Sequence, residues 1–227
     1  MQSVLKWIIS THSMAEKLQV REGDLLLALD LQNDFFSNGT IPVPGAEAVL
    51  PIVNRLLEML PRGVVSLRWH SRGHASFASH YPGHRPFETI PSPHGEQMLW
   101  PEHCLAGRNG GEMHPGLNTS RLEMVMRRGL QPGLGVTSAL MGDDGRTGTG
   151  LLGYLKERKV HRLFLVGFLI DFSIRATAQD ARKSGLEVVI IEDAVRGLNV
   201  RGSLEHAWLT LAEIGARRVM SESLVLS

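Results

Sequence analysis

Residues 162–191 read RLFLVGFLIDFSIRATAQDARKSGLEVVII, and the hydrophobic pattern changes period twice within them. Residues 162–167 form a short apolar run, which predicts a buried strand. Residues 173–184 predict a helix closed by Gly185, because glycine takes the left-handed conformation that ends helices at no steric cost. Residues 187–191 return to a strand. Strand, helix and strand in close succession are the unit of a parallel sheet.

The same alternation extends both ways. Upstream, residues 25–30 predict a buried strand. Residues 46–60 predict a helix, with Val49, Ile52, Val53, Leu56, Leu57 and Leu60 at helical spacing. Residues 63–67 and 123–127 predict strands, and residues 150–158 a helix. Downstream, residues 203–214 predict a helix N-capped by Ser203, and residues 216–220 the last strand. The order β-α-β-β-α-β-α-β-α-β implies an α/β fold, a single-domain three-layer αβα arrangement around a mostly parallel central sheet. Ligands of such sheets sit at the carboxyl ends of the strands. Asp30, Arg68, Arg128 and the turn carrying Asp171 and Ser173 all lie at or just after strand ends, placed to converge.

The chain has 227 residues, which suits one such domain. Residues 24–227 read as that domain and residues 1–23 as an N-terminal extension. The apolar run at residues 5–9 is too brief, and its flanks too polar, for a convincing signal peptide. Met14 is an alternative start. The formal net charge of +1, with no broad basic excess, speaks against nucleic acid, and no run reaches the length of a membrane span. The single cysteine, Cys104, rules out an intrachain disulfide and fits a reducing, cytoplasmic setting.

Seven of the ten histidines fall between His70 and His114, all but His70 inside a long irregular stretch, residues 71–121. Loops of that length in compact domains are usually functional. Neutral imidazole is a common metal ligand, so the cluster suggests a metal site. His80, His84 and His94 read instead as solvent-exposed loop residues. Asp30 reads equally as a general base at a strand end or as a turn cap. Ser173 and Asp171 read first as helix caps. A nucleophile there would instead gain backbone N–H groups as an oxyanion hole.

Five pieces, in order over about residues 24–220, carry a resemblance: Leu29-Asp30-Leu31-Gln32-Asn33-Asp34-Phe35; Trp69-His70 with His74 and Ser76-Phe77-Ala78; Trp100-Pro101-Glu102-His103-Cys104; His114-Pro115; and Asp180-Ala181. Together they resemble the nicotinamidase (pyrazinamidase) branch of the isochorismatase-like cysteine hydrolases. The resemblance implies hydrolysis of nicotinamide to nicotinate and ammonia, a step of NAD salvage and pyridine nucleotide biosynthesis. It implies a Cys nucleophile, an Asp base, a Lys beside them, and a divalent metal, zinc, held by one Asp and two or three His. Carried onto this chain, Asp30 is the base and Phe35 and Trp100 line the ring pocket. His70 and His103 are metal ligands with His74 as a third, and backbone N–H groups at Leu169 and Ser173 hold the oxyanion.

Three positions depart from that pattern. Arg68 stands where the family has its metal-ligand Asp, Arg128 where it has Lys, and Ser173 where it has the nucleophilic Cys. An arginine cannot ligate a cation and repels one if it points inward. A serine lacks the ready thiolate and needs a strong neighbouring base. Cys104 as a replacement nucleophile is disfavoured, since free cysteine is usually a buried small hydrophobe. Three readings stay open. The first is a nicotinamidase-type enzyme with reduced or redirected activity, using Ser173, Asp30 and Arg128 with a weakened zinc site. The second is a non-catalytic protein that binds nicotinate or a similar small anionic ring. The third is a structural or homo-oligomer-forming relative with an inert pocket.

Overall fold

The computed structural model describes residues 17–226. Most of the expected N-terminal extension, residues 1–16, lies outside the described residues. Its end supplies strand β1 (Leu18–Gln19), which pairs in parallel with β10 (Leu224–Val225). The central sheet has six strands: β2 (Asp24–Leu29), β3 (Gly63–Arg68), β6 (Leu122–Arg128), β7 (Arg162–Phe168), β8 (Glu187–Arg196) and β9 (Arg217–Val219). Their spatial order is β6-β3-β2-β7-β8-β9, and every pair is parallel. Four helices connect them: α1 (Val49–Met59), α2 (Leu151–Glu157), α3 (Arg175–Lys183) and α4 (Ser203–Glu213).

Alternation along β2 builds two cores. Leu26 and Ala28 face one side, where Val49, Leu50, Val53, Leu56 and Leu57 of α1 cover them. Leu25, Leu27 and Leu29 face the other, against Leu151 and Leu155 of α2, Ala178 and Ala181 of α3, and Leu211 of α4. Each fully buried leucine contributes about 2 kcal/mol of transfer free energy. The three-layer expectation therefore holds, with β2 central and buried along its whole length.

Three local expectations need correction. The helix expected from residue 173 starts at Arg175; Ser173 lies in a π-helical turn, Ile170–Ile174, that precedes it. Leu169 enters that turn with φ 57, which the spacing of apolar residues could not reveal. Ser203 is not an N-cap but the first residue of α4, behind a left-handed Gly202, and its hydroxyl donates to Asp171 at 2.7 Å. The irregular stretch contains an antiparallel hairpin, β4 (Thr89–Ser92) with β5 (Gly95–Met98). Its exposed histidines, His80, His84 and His94, are as expected.

Gly167, near the end of β7, has φ +104, and a Cβ there would lie 2.1 Å from the carbonyl oxygen of Leu29. Only glycine permits that approach of β7 to β2. The β7–β8 register also shifts at this point, while β2 and β7 stay paired up to Leu29 and Gly167, just before the loops that carry Asp30 and Ser173.

Candidate active site

Four neighbouring strands end at one place. Arg128 ends β6, Arg68 ends β3, Asp30 follows β2, and the π-turn with Ser173 follows β7. Arg68 and Arg128 are register partners across the β3–β6 pair. All four residues are buried, Asp30 and Ser173 completely. Asp30 has φ 59, a left-handed backbone that turns the chain sharply as β2 ends.

The two arginines are joined through Asp30. Arg128 Nη2 donates to Asp30 Oδ1 at 2.7 Å, and Arg68 Nε donates to Asp30 Oδ2 at 3.1 Å. Ser173 Oγ donates to Asp30 Oδ2 at 2.6 Å. In turn it accepts from Arg68 Nη2 at 2.6 Å and from Arg128 Nη2 at 3.3 Å. Arg128 is anchored further by Ser66 Oγ at 2.8 Å and the Val136 carbonyl at 3.2 Å. Arg68 Nη1 meets no acceptor among the described residues. Burial alone would raise the Asp30 pKa. The Arg128 and Arg68 charges and the Ser173 hydrogen bond outweigh it and hold the carboxyl below its ordinary value.

Gln32 was not anticipated. Fully buried, it donates to the Arg68 carbonyl at 2.7 Å and the Gly111 carbonyl at 2.6 Å, and accepts from the Arg68 N–H at 2.8 Å. It therefore pins the backbone of Arg68. Asp34 accepts from the Cys104 N–H at 2.6 Å and from Thr40, fastening the histidine loop to the end of β2. Asp171 receives the N–H groups of Leu198 and Asn199, at 3.1 and 2.9 Å, as well as Ser203. It ties the π-turn to the loop before α4 and does not cap its own helix. No local sequence signal marks these long-range bonds.

Trp100 is 5 % exposed, stacks edge-on with Phe172 at 4.9 Å between ring centroids, and has the Arg68 guanidinium 5.8 Å from its own ring. Phe172, half-buried, is an aromatic neighbour that sequence reading missed. Phe35, expected to line a pocket, is fully buried against His103 and Phe168, so it backs the site. Cys104 is wholly buried with its pKa pushed well up by burial, which makes it inert as a nucleophile.

His70, His74 and His103 do cluster, with ring centroids 4.5 Å apart for the first two and 4.8 Å for His70 and His103. Their hydrogen bonds decide what each can do. His70 Nδ1 donates to the His103 carbonyl at 3.1 Å, and His103 Nδ1 to the Pro101 carbonyl at 2.8 Å. Each then carries its lone pair on Nε2, and that of His103 is buried with no partner. His74 is different. Its Nδ1 takes the Ser76 N–H at 3.2 Å and lies 2.7 Å from the Ser76 hydroxyl, while Nε2 donates to the Leu134 carbonyl at 3.2 Å. Burial lowers the pKa of all three, His103 to about 3, and Arg68 adds to the effect. The expected three-histidine ligand set is therefore not assembled. Among the described residues no three His, Cys, Asp or Glu side chains could hold a metal ion. The implied divalent metal does not fit these residues.

An isochorismatase domain model matches residues 24–223. The chain is 38% identical to the nicotinamidase of Acinetobacter baylyi over 201 residues, 88% of this chain and 94% of that protein. Among solved structures it is similar to a nicotinamidase/pyrazinamidase of Acinetobacter baumanii, with TM-score 0.88 and 39% identity over 89% of this chain and 98% of that one. PnC1 of L. infantum, solved in complex with nicotinate, gives TM-score 0.82 and 30% identity over 93% and 100%. A pyrazinamidase of Pyrococcus horikoshii, solved with zinc, gives 0.70 and 26% over 87% and 99%. Among the described residues no helix is long and apolar enough to cross a membrane. With the domain match, these relatives and the convergence of Asp30, Trp100, His70 and His103 on one sheet end, the chain belongs to the isochorismatase-like hydrolase family, in its nicotinamidase branch.

Proposed function

We propose that this chain is a nicotinamidase-type amidohydrolase by descent whose pocket now binds nicotinate or a similar small anionic ring, with amide hydrolysis absent or very weak. The observation that carries the reading is the closed Asp30–Ser173–Arg68–Arg128 network. A hydroxyl oxygen has two lone pairs. Those of Ser173 face two guanidinium N–H groups, and its proton is committed to Asp30. Attack on an amide carbon requires one of those lone pairs to be released. Asp30 offers little help as a base, since both oxygens are held by arginine and its pKa is depressed. Arg128 keeps the positive charge of the family's lysine but cannot exchange a proton near neutral pH.

Ligand binding is better supported than turnover. Arg68 Nη1 meets no acceptor among the described residues, and the guanidinium lies beside Trp100. A carboxylate accepts charge-assisted hydrogen bonds from such a group, and an aromatic ring finds Trp100 and Phe172 beside it. The nicotinate complex of the L. infantum relative is consistent with a ring carboxylate of this class.

Calorimetric titration of the purified protein tests this. Nicotinate binds at least about tenfold tighter than nicotinamide, because only the former brings a full negative charge to the guanidinium. Arg68→Met removes most of that preference. Ammonia release from nicotinamide stays far below the turnover of roughly 1 s⁻¹ or more usual for enzymes. Equal affinity for the two ligands, or no binding of either, overturns the proposal; the latter leaves an inert pocket.

A slow serine amidase is the second reading, favoured by the 2.6 Å Ser173–Asp30 contact. It requires ammonia release that disappears in Ser173→Ala.

A further inference from the structure

We infer that the Arg68 guanidinium has taken over as the resident cation of this pocket, and that the histidine cluster binds no divalent metal at ordinary cellular concentrations. Relatives of the chain include a pyrazinamidase solved with zinc. Here the strand end before His70 carries an arginine, 5 % exposed and directed at Asp30 and Ser173. A divalent ion near the cluster would face that charge at short range in a buried setting, where repulsion is poorly screened.

The ligand set points the same way. A catalytic zinc site has three protein ligands and an open position. Of the three histidines, only His70 and His103 keep Nε2 as the lone-pair nitrogen. His74 commits one ring nitrogen to Ser76 and the other to the Leu134 carbonyl. Two imidazoles, no carboxylate and an adjacent guanidinium make a poor cation site. The same guanidinium makes a good anion site, because its planar fork suits a carboxylate.

This inference concerns the ligand-free protein, so its failure is distinguishable from failure of the nicotinate reading. The full chain is stripped with chelator, dialysed against zinc and assayed for bound metal by mass spectrometry. Cobalt(II) uptake, read from ligand-field absorption, is a second and independent measure. The unaltered chain takes up well under one zinc per molecule at micromolar free metal and shows no tetrahedral cobalt spectrum. Arg68→Asp replaces a repelling group with a ligating one and raises zinc affinity by at least about a hundredfold. Circular dichroism verifies that this variant folds.

One zinc per unaltered chain, or a tetrahedral cobalt spectrum from it, overturns the inference. So does a folded Arg68→Asp variant with no gain in zinc, since the guanidinium would then not be what excludes the metal. If that variant fails to fold, Arg68→Gln takes its place. Removal of the charge alone must then raise zinc uptake measurably, or the assignment to Arg68 fails.

Discussion

Restoring three side chains at once, Arg68→Asp, Arg128→Lys and Ser173→Cys, is expected to turn this protein into an active nicotinamidase. Ammonia release from nicotinamide with added zinc should rise at least about a thousandfold above the unaltered chain, the scale lost when a nucleophile and an acid–base partner are removed together. Ser173→Cys supplies a thiol that can ionise near neutral pH. Arg68→Asp removes the guanidinium that bonds to both Asp30 and position 173. Arg128→Lys exchanges a planar fork bonded to Ser66, Asp30 and Ser173 for a single, adaptable ammonium.

The effects are coupled, because all three side chains meet Asp30 or Ser173. Ser173→Cys alone should remain within about tenfold of the parent, as residues acting as one unit are strongly non-additive. Comparable activity in the unaltered chain would mean that the nucleophile has been assigned to the wrong residue. Inactivity of a folded triple variant would remove the basis for a nicotinamide-shaped pocket.

Asp30→Ala should be among the most destabilising single changes available. Asp30 is the sole carboxylate in contact with the Arg68 and Arg128 guanidiniums among the described residues, and all three groups are buried. Removing one partner of a buried ionic set leaves uncompensated charge and costs about 3–5 kcal/mol. For a domain of this size that lowers Tm by roughly 10 °C. Replacing the whole set with uncharged groups, as Asp30→Asn with Arg68→Met and Arg128→Met, should cost less than the single change.

Acid gives the same contrast without further mutation. The folded carboxyl has a depressed pKa, so its contribution is complete above the ordinary value of 3.8 and is lost as pH falls through the folded value. The Tm gap between parent and Asp30→Ala should narrow below that pH. A gap under about 2 °C at neutral pH, measured by calorimetry, would show that the ion set contributes little.

The sheet was readable because its central strands bury both faces and its helices bury one. After their first, charged residues β2 and β7 are apolar runs, and α1 repeats its leucines and valines every three or four residues. Asp30, Arg68, Arg128 and Ser173 were readable as a group for a topological reason: parallel strands bring their carboxyl ends to one edge. What stayed hidden depends on distance in the chain. Nothing local to Gln32 signals bonds to the Arg68 and Gly111 backbones, and nothing near His74 signals the Leu134 carbonyl. The histidine spacing therefore suggested three ligands, of which the fold commits His74 through both ring nitrogens to structural hydrogen bonds. Left-handed Asp30 and Leu169 were equally hidden, because neither is a glycine.

Among the described residues, two buried guanidiniums share one carboxylate, so the set is one anion short of balance. A bound carboxylate completes the set, so its affinity adds to the folding free energy: about 2.7 kcal/mol when ligand exceeds Kd a hundredfold. Such a difference slows proteolysis of the chain, since cleavage tracks the population of opened molecules. If the proposed carboxylate binding holds, the amount of protein that survives would follow the supply of that acid, making abundance itself the output of binding. Degradation by an added protease, timed with and without nicotinate, reads this directly; identical half-lives would contradict it.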